Sequence, residues 1–179
     1  MQMLTVEQCQ RADVERVFYR AFADAEGSAE GETILGLVRA LIDTANQYRT
    51  QGFVAVDHTA VPIGGIFFTP LMFTNRASVM MLSPVAVAAN YQGQGVGTYL
   101  IRQGLDALTR QGIELAVTYG DPQYYARFGF EVVSLAAVAP PHELAQPEGW
   151  QAMPLGDAPL PTLQGPSCCV PPFDKPALW

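Results

Sequence analysis

Tyr91-Gln92-Gly93-Gln94-Gly95-Val96-Gly97-Thr98 is the stretch whose reading decides the fold. An apolar run, Val79 to Ala89, precedes it, and a helical pattern, Val96 to Arg110, follows. Glycines at 93, 95 and 97 at a strand-to-helix junction leave the backbone bare. They permit positive φ and remove each Cβ that would obstruct a close-lying ligand. The first amides of the following helix have no intrahelical partner and sit at the positive end of its dipole. Such a junction seats a phosphate or pyrophosphate. The plainer reading is a tight turn whose glycines only let helix and strand pack closely.

The rest of the chain bounds what that loop can serve. A length of 179 residues is most simply one domain with a real core. With 49% hydrophobic and 15% charged residues, the chain is not disordered. A net charge of −7 argues against a nucleic-acid partner, whose phosphates it would repel, and favours a cationic amine. Cys9, Cys168 and Cys169 are odd in number and lack metal-ligand spacing. The expectation is reduced thiols, no metal and a cytoplasmic location. No basic-plus-apolar leader and no membrane-spanning run is apparent, so no membrane partner is expected.

Upstream of the loop, Met1 to Val6 can form a first strand. Val14, Val17, Phe18, Ala21 and Phe22 make a helical stripe that Asp13 can cap. The small, acidic segment Asp24 to Gly31 reads as a loop, its acids either solvated or lining a substrate entrance. Ile34, Leu37, Val38, Leu41, Ile42 and Ala45 mark a second amphipathic helix ending near Tyr48. Gly52 to Asp57 and Ile63 to Phe73 read as a hairpin, with His58 exposed in its turn. Val79 to Ala89 is apolar on both faces and therefore central. Pro84 is out of place in such a strand, and a bulge or splay is expected near Ser83 to Val85.

Downstream, the helix buries Val96, Leu100, Ile101, Leu105 and Leu108 and stops at Gly112. Ile113 to Tyr119 then returns as a parallel strand. In Gly120-Asp121-Pro122-Gln123-Tyr124-Tyr125-Ala126-Arg127-Phe128-Gly129-Phe130, Asp121 can cap a short helix that Gly129 ends. Phe130 to Val133 and Trp150 to Leu155 are further strands. From Ala139 onward prolines crowd the chain, and Pro159 to Trp179 reads as an extended segment that docks through Val170, Phe173 and Trp179. The division expected is a domain over 1–155 and a proline-rich extension over 156–179.

The loop does not match a dinucleotide fingerprint, because the sixth position from Gly93 is Thr98 rather than glycine. Nor does a lysine follow, as a nucleoside-triphosphate loop requires. Gln92-x-x-Gly95-x-Gly97 instead resembles the acyl-coenzyme A pyrophosphate loop of the GCN5-related N-acetyltransferase (GNAT) superfamily. Tyr125-x-x-x-Gly129-Phe130 is similar to that family's final core motif. The fuller segment from Gly120 resembles one bacterial branch of it. The resemblance covers about 1–155. It implies an α/β fold with a mixed, mostly antiparallel sheet flanked by helices, and a splayed parallel pair at its centre. It also implies acetyl-CoA as co-substrate, bound by the Val85, Ala86 and Val87 backbone and by Gln92, Gly93, Gln94, Gly95, Val96, Gly97, Thr98 and Tyr124. Tyr125 takes the position of the tyrosine that protonates the leaving sulfur.

The implied reaction is direct acetyl transfer to a primary amine on a small molecule, peptide or protein. A strand amide near Val85 to Val87 would polarise the thioester carbonyl, and a phenol is a suitable acid because it stays protonated at neutral pH. Tyr124 and Tyr125 could instead simply pack under the sheet. The family often carries a carboxylate on the central strand, but Val79 to Ala89 has none. Glu114, Asp121, Glu26 and Glu32 are the alternatives, each with a structural role available. That departure keeps open a catalytically inactive acyl-CoA-binding sensor, with a nucleotide-binding protein a further reading. Ser83 could assist the thioester, and Cys168 or Cys169 could be a nucleophile without a histidine nearby in sequence. A homodimer is compatible with the family.

Overall fold

A computed structural model describes residues 1–156 and 159–179. A seven-stranded, mostly antiparallel sheet has the order β1-β2-β3-β4-β5-β7-β6. Its strands are β1 (Gln2–Thr5), β2 (Gln51–Val56), β3 (Pro62–Leu71), β4 (Val79–Val87), β5 (Leu115–Tyr119), β6 (Glu131–Val132) and β7 (Trp150–Pro154). Among the described residues four α-helices accompany it: α1 (Arg11–Glu26), α2 (Ser28–Tyr48), α3 (Val96–Arg110) and α4 (Pro122–Tyr125). Strands β4 and β5 are a parallel pair, running from Val79 opposite Leu115 to Leu82 opposite Thr118. That ladder stops two residues before Pro84, which has no amide hydrogen to give it. Among the described residues no helix is long and apolar enough to cross a membrane.

The chain divides into two compact units. One comprises residues 1–68 and 84–104, and the other 69–83 and 105–179. In the first unit, β2 pairs antiparallel with β1 and β3. Phe18 of α1 is fully buried and packs its ring 5.4 Å from that of Phe67. Val38, Leu41, Val54, Ile66, Leu100 and Ile101 complete the apolar interior. Burying side chains of this size contributes about 1.5–3 kcal/mol each.

Two expectations about the first helices fail. Residues 24–31 are not a loop: α1 continues to Glu26 and α2 begins at Ser28. Gly27 alone separates them, with φ 100° and its amide on Ala23 O at 3.0 Å. A glycine can turn the chain in one residue by adopting a dihedral that an L-residue avoids, so no longer connection is needed. Asp13 is not the N-cap either, because the helix opens at Arg11 after Gln10. Asp13 sits in the first turn, where its carboxylate complements the dipole and pairs with Arg16 at 2.6 Å.

In the second unit, β5 is wholly apolar and buried from Leu115 to Val117, while β7 pairs with it antiparallel and carries the two residues of β6. Trp150 is fully buried, its indole donating to Val138 O at 2.8 Å. The described part of the C-terminal segment makes backbone and aromatic contacts within this unit. Met72 and Cys168 exchange both backbone bonds at 2.9 Å. Trp179 is 6% exposed, stacks edge-on to Trp150 and Phe173, and donates from Nε1 to Phe173 O. Short 3-10 turns, Pro171–Phe173 and Pro176–Leu178, interrupt the extended path. Their prolines fit first helical positions, which need no amide donor.

Candidate active site

The first unit carries the glycine loop. A 3-10 turn, Ala89–Tyr91, ends β4, and Gln92 is extended. Gly93 and Gly95 then adopt φ 71° and 82°. No atom lies within 4 Å of where a Cβ would stand on either, so both positions are open as well as left-handed. Tyr99 N donates to Gly95 O at 2.9 Å, which places the amides of Val96, Gly97 and Thr98 ahead of the intrahelical ladder. Val96 and Gly97 are buried, whereas residues 92–95 are exposed.

Side chains brace this loop from within the same unit. Gln92 Nε2 donates to Val87 O at 3.1 Å, and Gln94 Nε2 to Asn90 O at 2.8 Å. The Tyr91 hydroxyl donates to Asp57 Oδ2 at 3.3 Å. Asp57 also accepts from the amide and hydroxyl of Thr59 and from Val61 N, which pulls its carboxyl down to about 2. The turn after β2 is thus tied to the segment that launches the loop. Val85 and Val87 are half-buried and Ala86 is buried. A Cβ on Gly64 would stand 2.9 Å from Ala86 O and 3.0 Å from Val96, so only glycine lets β3 lie this close to the loop's base.

The second unit carries Tyr125, the last residue of α4. Asp121 caps that helix by accepting from Gln123 N at 2.9 Å, with Pro122 at its first position. Gly129 ends the following turn at φ 99°. The Tyr125 ring packs against Tyr124, Phe128 and Phe130 at 5.1, 6.5 and 5.8 Å. It also lies over Gly120, where an added Cβ would stand 2.9 Å from Cε2. Burial pushes the Tyr125 phenol above its ordinary value. A hydrogen bond with the Thr118 hydroxyl offsets part of the rise, and Tyr124 adds to it. The phenol is therefore a proton carrier at neutral pH. Tyr124 lies under the Arg127 guanidinium, 4.4 Å from its ring centroid.

Thr118 was not foreseen. It is completely buried, bonds Tyr125, and donates to Leu82 O at 3.1 Å where the parallel ladder ends. A threonine after the apolar run 115–117, two residues before Gly120, was the available signal. Ser83 lines a small cavity of about 100 Å³ with Met81, Tyr119, Phe173, Leu178 and Trp179.

Two of the candidate bases, Glu114 and Asp121, are otherwise engaged. Glu114 accepts from Ser78 N at 2.7 Å at the start of β5, and Asp121 is the helix cap. Glu26 and Glu32 are exposed on helix ends, and His58 is exposed in its turn. Cys168 is exposed and Cys169 buried, both as free thiols. Burial and then Asp174 push the Cys169 thiol up to about 11, which leaves it a poor nucleophile.

The sequence profile of the acetyltransferase (GNAT) family matches residues 13–130. An Escherichia coli K12 protein named uncharacterized N-acetyltransferase YhbS is 38% identical over 88 residues, covering 49% of this chain and 53% of its own length. The chain thus spans about half the length of the curated relatives it matches. The crystal structure of E. coli YhbS in complex with CoA superposes with a TM-score of 0.78 at 28% identity, over 97% of this chain and 92% of that one. A Brucella melitensis GNAT acetyltransferase in complex with acetyl-CoA gives 0.70 at 28% identity, over 97% and 99%. With its profile matched across most of the chain and its fold shared by these structures, the chain belongs to the GNAT acetyltransferase family.

Proposed function

We propose that this chain transfers an acetyl group from acetyl-CoA directly to a primary amine on a small molecule, peptide or protein. The observation that carries the reading is the CoA and acetyl-CoA held by the YhbS and Brucella structures, each matched over 97% of this chain. The loop fits such a donor because a Cβ at Gly93 or Gly95 would meet nothing, leaving the backbone open. Gln92 to Thr98 would hold the pyrophosphate through helix-start amides. The Val85, Ala86 and Val87 backbone would line the pantetheine arm, and Tyr124 would contact the donor. Acetyl-CoA supplies an activated thioester.

Tyr125 then gives its phenolic proton to the leaving sulfur, and Thr118 fixes the hydroxyl's orientation. Attack by the amine forms the new C–N bond as the C–S bond breaks, the amine's proton leaves to solvent, and Tyr125 regains a proton from solvent before the next turnover. The domain proposed for this chemistry is 1–155, with 156–179 packed upon it; Asp157 and Ala158 lie outside the described residues.

Acetyl-CoA titrated calorimetrically, followed by thiol release with a panel of amines, tests the reading. Tight binding, turnover and slower release by Tyr125→Phe are expected. Binding with no release for any amine would favour the second reading, an acyl-CoA-binding sensor. That reading draws on the engagement of Glu114 and Asp121 and on the lack of a carboxylate in β4. Absence of binding by folded protein would sink both.

A further inference from the structure

His142, Cys169 and Asp174 converge in the second unit, with one ligand-capable atom from each within 4.8 Å of the others. His142 lies in the segment before β7, and the other two in the C-terminal extension. Their convergence is built by the backbone. Ser167 donates from N and Oγ to Ala139 O at 3.3 and 2.7 Å, drawing the two segments together just ahead of the ligands. Ala145 N donates to Trp179 O at 2.8 Å beyond them, and the Trp179 ring stands 6.0 Å from that of His142.

An ion pair alone would explain His142 Nε2 at 2.8 Å from Asp174 Oδ1. It does not call for a third residue whose chemistry is sulfur. Thiol, imidazole and carboxylate together are a donor set suited to a borderline-soft divalent cation such as zinc. Four-coordinate zinc holds such ligand atoms about 3.3–3.8 Å apart, so the widest spacing in the cluster must close by about 1 Å while the His142–Asp174 pair opens from 2.8 Å. The Asp174 side chain, 68% exposed, has room to shift, and three protein ligands leave a fourth position to water.

We propose that His142, Cys169 and Asp174 bind a zinc-class divalent cation that cross-links the extension to the segment preceding β7. The cation takes the place of the His142–Asp174 bond, and Cys169 binds as thiolate, releasing its proton to solvent. Cys168 is exposed and is not among the three clustered side chains.

The test uses the full chain, reduced and metal-free. Zinc chloride is titrated against a chromophoric chelator, and cobalt chloride is followed by absorption. One equivalent of zinc is expected, with a thiolate-to-cobalt charge-transfer band and the intense visible bands of four-coordinate cobalt. Cys169→Ser should abolish the charge-transfer band, and Cys168→Ser should leave it. Asp174→Asn, at an exposed position that folding tolerates, should weaken zinc at least about tenfold, and His142→Ala likewise. Absence of stoichiometric zinc binding would overturn the proposal. So would a charge-transfer band lost with Cys168 rather than Cys169, or an affinity unchanged by both Asp174→Asn and His142→Ala.

Discussion

Gly120→Ala is the perturbation that tests most directly whether Tyr125 acts through the position of its hydroxyl. The new Cβ would stand 2.9 Å from Tyr125 Cε2, 3.7 Å from Cδ2 and 3.9 Å from Cζ. Ordinary contact needs about 3.5–4.0 Å between carbons, so the ring edge must retreat by about 0.6–1 Å. Tyr124, Phe128 and Phe130 surround the ring, so the retreat repacks neighbours. Overpacking of that size costs about 1–3 kcal/mol, readable as a lower urea midpoint. The hydroxyl moves with the ring, which changes its position relative to Thr118. A misplacement near 1 Å lowers a positioned group's contribution about 100-fold at most. Thiol release from acetyl-CoA should therefore fall about 10- to 100-fold in kcat, while the dissociation constant of acetyl-CoA stays within about twofold. The same substitution in a Tyr125→Phe background should cost little further rate, because no hydroxyl remains to misplace. Equal losses in both backgrounds would refute the reasoning, as would an unchanged kcat in Gly120→Ala alongside a slow Tyr125→Phe.

Gly95→Asp puts a Cβ on a residue at φ 82° and a negative charge beside the bare loop, so acetyl-CoA binding by calorimetry should be lost while the far-ultraviolet spectrum is retained. Asp57 has a folded-state pKa of about 2 against about 3.9 in the unfolded chain. Its contribution is present above about pH 4 and lost as pH falls through about 2, so the wild type should lose urea resistance faster than Asp57→Asn over that window. Trp179→Ala removes a 6%-exposed indole and its bond to Phe173 O, which should cost about 3–5 kcal/mol by chemical denaturation and widen the cavity that Trp179 lines.

The sequence carried most of this fold because its strongest signals are local. Apolar runs at 79–87 and 115–117 become buried strands, and the glycines at 93 and 95 turn left-handed ahead of α3. Asp121 and Pro122 start α4 where turn chemistry places them, and Gly129 ends the 3-10 turn that follows it. Gly27 defeated the same local logic. A cluster of acids and small residues looks like a loop, but helices tolerate exposed acids, and one glycine suffices for the break. Pro84 was legible only in part, since its missing donor forbids a ladder bond without saying on which side the ladder ends.

What local reading cannot supply is any group assembled from distant segments. Thr118 matters because parallel pairing sets it opposite Leu82, a relation that no spacing in the chain encodes. His142 and Cys169 are likewise far apart in sequence, and the turn at Pro171–Phe173 brings Asp174 back to the thiol. The cavity lined by Phe173, Leu178 and Trp179 arises the same way, from an extension whose composition announced only that it would dock. The division has a physical basis. Holding a pyrophosphate needs bare amides at one helix start, which a short motif can encode. Shaping a pocket needs side chains from several elements, and three of the residues that line the cavity beside Ser83 come from a tail outside the residues that the family profile matches.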